Sequence, residues 1–334
     1  MKVSDLGEHA LLARVLARLP RPSPAVLVGP GDDAAVLAPV RNERLVVTTD
    51  AVVEGVHFSR AFSTPADIGH KALAVNLSDL AAMAATPRWA VLSLVLPGSW
   101  MVADVEDLVD GLAALALRHA VSVVGGNIAR TEGPLVVDVT AGGEVAPRRW
   151  LTRAGAVAGH EIYLSGTIGG AAAGLEMLKT APGSLPPAPG CLARHRRPEP
   201  RVRLGMAMGR ARAARAAMDL SDGLADALRQ VAAASGVGVK VNADLLPIDQ
   251  CAREWWVSRG IDPVTAALKG GDDYELLFAV PAKGRGALRS ALRHVSDPPL
   301  TKIGVFTKDP RELVIERVGS VDSLPEGFEH FANR

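Results

Sequence analysis

Cysteine is scarce in this chain: Cys191 and Cys251 are the only two in 334 residues, and they stand far apart in the sequence. Neither belongs to the close paired spacing that zinc sites use. The sequence therefore predicts neither a disulfide framework nor a zinc site. Such sparse cysteine usage is typical of a reducing compartment.

Net charge is also nearly absent, with 37 basic against 36 acidic side chains and a formal charge of +1. This balance leaves no basic surface of the kind that nucleic acids or anionic membranes require. Apolar runs long enough to span a membrane are missing, and the first residues lack the apolar core of a signal peptide. We therefore expect a cytoplasmic protein with no membrane or nucleic-acid partner, in which a local site binds any anionic ligand.

Helix-like and strand-like segments alternate along the chain. Helical spacing of apolar residues extends over 6–19, 65–85, 102–120 and 218–236, and β-branched segments occupy 44–50, 89–97, 121–126, 134–145 and 237–247. A proline- and glycine-rich segment at 181–190 is typical of an exposed loop. Because 334 residues exceed one ordinary core, we predict two α/β domains, 1–150 and 151–334.

Aspartates recur where strands end and in turns that contain glycine. They are Asp32 and Asp33 in GPGDDAAVL, then Asp50, Asp79, Asp219, Asp222, Asp272 and Asp273. Carboxylate oxygens on a fixed frame suit Mg2+, which neutralises phosphate charge in phosphoryl transfer. Each acid also has a plainer interpretation. Asp-Asp after glycine is common in exposed turns, and Asp219, Ser221 and Asp222 could cap the helix that follows them.

The common nucleotide-binding and hydrolase motifs are missing. The chain has no GxxxxGK[ST] loop, no HRD and DFG kinase set and no GxSxG elbow. The glycine-rich SGTIGGAAAG at 165–174 does not match GxGxxG. It is typical of close helix–strand packing, with anion binding at the helix start as a second interpretation. Any binding of ATP would therefore use a less common fold.

Several segments occur in the order found in one enzyme family. They are GPGDDAAVL, TTDAVVEGVHF, HKALAVNLSDLAAMAATPRWAVLSLVLP, VVGGNIART, WLTRAGAVAGHEIYLSGTIGG, MDLSDGLADAL and GGDDYELLF. Through them the chain resembles, over nearly its whole length, the thiamine-monophosphate kinases of the aminoimidazole ribonucleotide synthetase-like superfamily. The resemblance implies a two-domain α/β fold with mixed sheets, whose N-terminal sheet pairs across a homodimer. It also implies that ATP phosphorylates thiamine monophosphate to thiamine diphosphate, by direct in-line transfer with several Mg2+ ions.

The resemblance further implies roles for individual residues. The positions that match Mg2+ ligands are Asp33, Thr48, Thr49, Asp50, Asp79, Asn127, Asp219 and Asp222. Those that match ATP contacts are Gly126, Asn127, Arg153 and Ser221, and those that match thiamine phosphate contacts are His57, Asp272 and Phe328. No residue would serve as base or nucleophile, because an ionised phosphate oxygen of the substrate attacks. Catalysis would then consist of alignment and charge neutralisation.

Two positions depart from the family pattern. The family commonly has Gly-Gly-Asp where this chain has Gly125-Gly126-Asn127, so one metal ligand loses its charge. Asp272 stands where many relatives have glutamate, which is one methylene longer. Two alternatives are an ATP-dependent amidine-forming ligase of the same superfamily and a non-catalytic nucleotide-binding homologue. The pairing of DLSDGL with GGDDYEL argues against the ligase, and Asn127 is the sign that favours the non-catalytic homologue.

Overall fold

The computed structural model describes residues 1–30, 34–180, 189–293, 295 and 298–327. The chain divides into two units, Met1–Leu80 with Thr86–Pro147 and Ala81–Ala85 with Arg148–Arg334. The domain limits 1–150 and 151–334 remain a prediction. The segment 181–190, predicted as an exposed loop, lies outside the described residues over 181–188.

Helices and strands alternate in the first unit. Its elements are Val3–Leu6 (α1), Glu8–Arg18 (α2), Val26–Val28 (β1), Val36–Leu37 (β2), Arg44–Val53 (β3), Pro65–Ala82 (α3), Thr86–Pro97 (β4), Val102–Arg118 (α4), Ser122–Thr131 (β5) and Val136–Val145 (β6). A four-stranded sheet has the order β3-β6-β4-β5, and β1 pairs with β2 separately. Since β4 and β5 are parallel while β6 is antiparallel to β3 and β4, the sheet is mixed, as expected.

Helices α3 and α4 pack closely against each other through glycine. A Cβ atom on Gly69 would lie 1.8 Å from the carbonyl oxygen of Leu108, so only glycine permits this approach. The apolar face predicted for the helix at 65–85 is confirmed, because each of its members is buried: Ile68, Leu73, Leu77 and Leu80. Their burial removes four large aliphatic side chains of α3 from water, which stabilises the fold.

The single helix predicted over 6–19 is in fact two. Gly7 ends α1 and precedes α2 with a φ of +83°, a left-handed conformation that glycine adopts without a steric penalty. Helix α2 then lies along α4, where Arg14 and Arg18 form ion pairs of 2.6 and 2.9 Å with Glu106.

The second unit is built on a larger sheet. Its elements are Glu161–Ser165 (β7), Gly170–Thr180 (α5), Pro189–Arg196 (α6), Val202–Arg210 (α7), Ala216–Asp219 (β8), Leu224–Ser235 (α8), Gly238–Asn242 (β9), Gln250–Ser258 (α9), Pro263–Lys269 (α10), Leu276–Val280 (β10), Arg285–Leu292 (α11), Leu300–Thr307 (β11), Leu313–Arg317 (β12) and Ser320–Ser323 (β13). The strand order is β13-β12-β9-β11-β7-β10-β8, with β9 and β12 parallel. Within the described ranges, no helix is both long enough and apolar enough to cross a bilayer.

Cys191 and Cys251 form a disulfide bond, which the prediction of no disulfide framework did not anticipate. Cys191 lies in α6 and Cys251 in α9, and their Cα atoms are 6.2 Å apart, within the usual range for a disulfide. The two residues are separated by 60 positions and belong to no local motif. Only the packing of α6 and α9 in the folded chain reveals the pair.

We expect Cys251→Ser to lower the free energy of unfolding by roughly 2–4 kcal/mol under oxidising conditions, because the bond restricts the unfolded chain. Urea titrations of the oxidised wild type, the reduced wild type and the variant measure the effect. Reduction should bring the wild type to the stability of the variant. Equal stability of all three samples would show that the bond contributes nothing.

Candidate active site

In the first unit, β3 and α3 bring two predicted metal ligands into contact. The hydroxyl of Thr48 donates a hydrogen bond to the Asp79 carboxylate. Asp50 lies two positions further along β3, so its side chain shares the Thr48 face of the sheet. Thr49 points to the opposite face, where its hydroxyl lies 3.2 Å from the Asp138 carboxylate. One face of β3 therefore carries the Thr48 hydroxyl and the Asp50 carboxylate, and the Thr48 hydroxyl contacts the Asp79 carboxylate of α3.

Gly126 and Asn127 lie inside a strand, because β5 extends to Thr131 and is longer than predicted. A Cβ on Gly126 would lie 2.0 Å from the carbonyl oxygen of Leu92 in β4, so this register requires glycine. Beside these residues is a cavity of about 490 Å3. Much of its wall is apolar and comes from α2, β4 and β5, including Leu12, Leu16, Leu19, Leu92, Leu94 and Ile128.

The imidazole of His57 is anchored in the turn that follows β3. Its Nδ1 accepts a hydrogen bond of 3.1 Å from the backbone N–H of Val53, so the proton of the neutral ring is on Nε2. The backbone carbonyl of His57 accepts a 3.1 Å bond from Nζ of Lys71 in α3. These contacts hold His57 at the end of β3.

In the second unit, segments 219–222 and 272–275 run side by side. They continue the antiparallel pairing of β8 with β10, in which Asp219 faces Leu276. The backbone bonds run from Asp272 N–H to Ser221 C=O (2.7 Å), from Tyr274 N–H to Leu220 C=O (3.0 Å) and from Leu220 N–H to Glu275 C=O (2.9 Å). The structure thus brings Asp272 beside the segment that contains Asp219, Ser221 and Asp222.

None of Asp219, Ser221 and Asp222 is the N-cap residue of the helix that follows them. Helix α8 begins at Leu224, and its N-cap is Gly223. Gly223 has a φ of +97°, and a Cβ there would lie 2.8 Å from the carbonyl oxygen of Gly270, so the turn requires glycine. The acids therefore belong to the end of β8 and to the turn, not to the first turn of the helix.

Arg153 contacts the flank of α8. Its guanidinium donates a hydrogen bond to the side-chain carbonyl of Gln230, whose amide in turn donates to Asp226 in the first turn of that helix. The neighbouring Thr152 accepts a 2.9 Å bond from the backbone N–H of Ala217 in β8. Arg153 is therefore fixed between β8 and α8. Asp33 and Phe328 lie outside the described residues.

A buried carboxylate that the sequence analysis did not single out supports the 272–275 segment. Glu275 has no exposed surface and accepts hydrogen bonds from Ser165 Oγ (2.6 Å), Arg201 Nε (2.8 Å) and Arg194 Nη2 (3.1 Å). One feature of the sequence could have identified Glu275: it is the third acid of GGDDYELLF, just before a predicted strand. The partners, in contrast, could not be inferred from local sequence.

Asp273 is buried at the start of α5. Its carboxylate accepts hydrogen bonds from the backbone N–H groups of Gly169 (2.7 Å) and Ala171 (3.2 Å). The start of α5 therefore does bind an anion, which the chain itself supplies. Burial raises the pKa of Asp273 to about 7, although Arg194 and the two N–H groups act in the opposite direction.

We expect Asp273→Asn to flatten the dependence of stability on pH. Because the pKa of Asp273 rises from 3.8 to about 7 on folding, its contribution to stability is full below about pH 4 and is lost as the pH approaches 7. At about 1.4 kcal/mol per pKa unit, the change amounts to a few kcal/mol. Urea titrations of both proteins between about pH 4.5 and 8 measure it, and equal slopes would contradict the assignment.

Known proteins resemble this chain over almost its full length. Residues 31–145 match the family described as AIR synthase related protein, N-terminal domain, and residues 157–316 match the corresponding C-terminal domain. The chain is 40% identical to thiamine-monophosphate kinase of Escherichia coli (strain K12), with 98% of each chain covered. It belongs to the thiamine-monophosphate kinase family.

Solved structures of the family agree. The crystal structure of thiamine-monophosphate kinase from Stenotrophomonas maltophilia K279a matches with a TM-score of 0.79 and 43% identity, over 91% of this chain and 95% of that one. The structure described as AaThiL complexed with AMPPCP and TMP matches with a TM-score of 0.77 and 31% identity, over 99% of both chains. The two-domain fold with mixed sheets and the family expected from the sequence are confirmed.

Proposed function

We propose that this chain transfers the γ-phosphoryl group of ATP to thiamine monophosphate, which forms thiamine diphosphate and ADP. The observation that carries the proposal is the full-length match to thiamine-monophosphate kinases, one of which is complexed with AMPPCP and TMP. The antiparallel pairing of segments 219–222 and 272–275 supports it, because it brings Asp272 beside the segment that contains Asp219, Ser221 and Asp222.

The reaction needs no protein nucleophile. A phosphate oxygen of thiamine monophosphate, ionised at neutral pH, attacks the γ-phosphorus of ATP. The new P–O bond forms as the bond to the β,γ-bridging oxygen breaks, and ADP leaves with that electron pair. The protein's work is to align the two phosphates and to stabilise their charge.

The proposed contacts are assigned unit by unit. In the first unit, Gly126 and Asn127 contact ATP and His57 contacts the thiamine phosphate. In the second, Arg153 and Ser221 contact ATP, and Asp272 contacts the thiamine phosphate, as does Phe328. The cavity beside Gly126 has both apolar and polar lining, which suits an adenine ring with its apolar faces and polar edge.

The donor chemistry fits Mg2+. The proposed ligands in the first unit are Thr48, Asp50, Asp79 and Asn127, and those in the second are Asp219 and Asp222, with Asp33 outside the described residues. The side chain of Thr49, predicted with them, lies on the opposite face of β3. Every one offers oxygen, the donor that Mg2+ prefers. When bound, the ion neutralises charge on the phosphates. We infer weaker binding at Asn127, whose amide oxygen carries no charge.

The purified protein with ATP and Mg2+ tests the proposal, with thiamine monophosphate, free thiamine or no acceptor. We expect thiamine diphosphate and an equal amount of ADP with the monophosphate alone. A chelator should stop the reaction. ADP release without thiamine diphosphate would contradict the proposal, and nucleotide binding without any turnover would favour the non-catalytic homologue.

We also propose that the chain forms a homodimer through the open face of the four-stranded sheet. On the face of the edge strand β3 opposite Thr48, Leu45 and Val47 are 61% and 54% exposed, so this face presents neighbouring aliphatic side chains to solvent. We expect light scattering to give twice the monomer mass, and Val47→Asp to give monomers. Val321→Asp, at an equally exposed valine of β13, should leave the mass unchanged. A monomeric wild type would contradict the proposal.

A further inference from the structure

A buried histidine lies against the carboxylate proposed to contact the thiamine phosphate. His195 in α6 is 2% exposed, and its Nδ1 lies 3.5 Å from Oδ2 of Asp272. The Asp272 side chain itself is 26% exposed. One part of this carboxylate therefore faces the imidazole, while another part remains accessible to a ligand.

The backbone of the Asp272 segment is strained. Asp272 and Tyr274 have φ values of +68° and +49°, a region that non-glycine residues rarely adopt. The Tyr274 hydroxyl donates a 3.2 Å hydrogen bond to Oδ1 of Asp272. The two oxygens of this carboxylate thus have different neighbours, Tyr274 at Oδ1 and His195 at Oδ2. Such a pair of contacts restricts the rotation of the carboxylate.

Helix α6 is fixed in place through the side of the helix that carries His195. Cys191, Arg194 and His195 have the i, i+3, i+4 spacing that places side chains on one side of a helix. Cys191 is bonded to Cys251 of α9, and Arg194 lies 3.1 Å from the buried Glu275. The anchored helix therefore fixes the position of His195 beside Asp272. Accurate placement of a ligand-binding group requires this kind of rigid support.

We propose that His195 is a positioning residue, which orients the Asp272 carboxylate for the thiamine phosphate and acts on the reaction only through Asp272. The proposal rests on the proposed function. The Asp272 carboxylate should contact the positively charged ring or the amino group of the substrate, and not the phosphate group, whose charge has the same sign. His195 therefore affects binding of the thiamine phosphate and leaves ATP binding unchanged.

The test is a double-mutant cycle of His195→Asn and Asp272→Asn, with KM for thiamine monophosphate, KM for ATP and kcat measured for each protein. We expect His195→Asn to raise KM for thiamine monophosphate about tenfold, because the imidazole no longer lies against Oδ2 of Asp272, with little change in the other constants. In the Asp272→Asn background the same substitution should have no further effect. His195→Gln, whose longer side chain places an amide N–H nearer to Asp272 than that of asparagine, should restore part of the loss.

Two further variants complete the design. Tyr274→Phe removes only the hydroxyl at the other carboxylate oxygen and should also raise KM for thiamine monophosphate. His160→Asn, at a histidine that contacts Val157 instead, should leave KM unchanged. Equal effects of His195→Asn in both backgrounds, or an unchanged KM in His195→Asn and Tyr274→Phe alike, would overturn the positioning role. A wild type that forms no thiamine diphosphate would overturn the proposed function and this inference together.

Discussion

Asp222→Ala is expected to reduce thiamine diphosphate formation by more than about a hundredfold while the protein stays folded. Mutation of a residue that hydrogen-bonds to a metal ligand typically lowers metal affinity or activity by about 10- to 100-fold. Loss of the ligand itself should lower activity at least as much. The fold should survive because the turn depends on Gly223, which is the N-cap of α8, and on backbone bonds. Turnover at saturating ATP and a thermal unfolding curve measure the two effects.

Asp244→Ala is the matched control, since Asp244 is an exposed acid in the same unit. It should retain full activity. Wild-type turnover in Asp222→Ala would remove this residue from the proposed metal set. Recovery of part of the lost rate at high Mg2+ concentration would strengthen the assignment, because it would tie the defect to metal affinity.

Glu275→Ala is expected to lower the free energy of unfolding by roughly 3–5 kcal/mol, the usual cost of removing one member of a buried ion pair. The substitution leaves the guanidinium groups of Arg194 and Arg201, whose side chains are 23% and 14% exposed, without their shared carboxylate. Urea unfolding followed by circular dichroism measures the loss.

Glu176→Ala is the matched comparison for Glu275, because its 3.3 Å pair with Lys179 lies on the surface. That change should cost less than about 1 kcal/mol. Glu275→Gln keeps the shape of the side chain and an acceptor oxygen, so it should fall between the two. A loss for Glu275→Ala no larger than the loss for Glu176→Ala would show that the buried network does not stabilise the fold.

Local patterns were sufficient to predict most of the elements. The apolar spacing at 65–85 and 102–120 reappears as α3 and α4, because a helix face that packs on a neighbour must be apolar. The alternation of side chains along a strand also separates Thr48 from Thr49, although the sequence analysis assigned both to one ligand set. Prediction failed at Gly7, where one permissive residue divides a continuous helical pattern.

Contacts between segments that are distant in the sequence could not be predicted from the sequence. The register that places Asp272 against Ser221 is set by the pairing of β8 with β10, and spacing along the chain does not determine which strands pair. The partners of Glu275 lie 74 to 110 positions away, and the disulfide joins residues 60 positions apart. Each of these contacts depends on tertiary packing, which a single sequence does not reveal.

The backbone bonds between segments 219–222 and 272–275 have a consequence for how such a site can diversify. Because main-chain atoms hold the two segments together, the hydrogen bonds between them do not involve the side chains of Ser221 and Asp272. Exchanges such as glutamate for aspartate at position 272 can therefore alter ligand preference while the scaffold persists. A site built in this way can acquire a new substrate through point substitutions, without first losing its architecture.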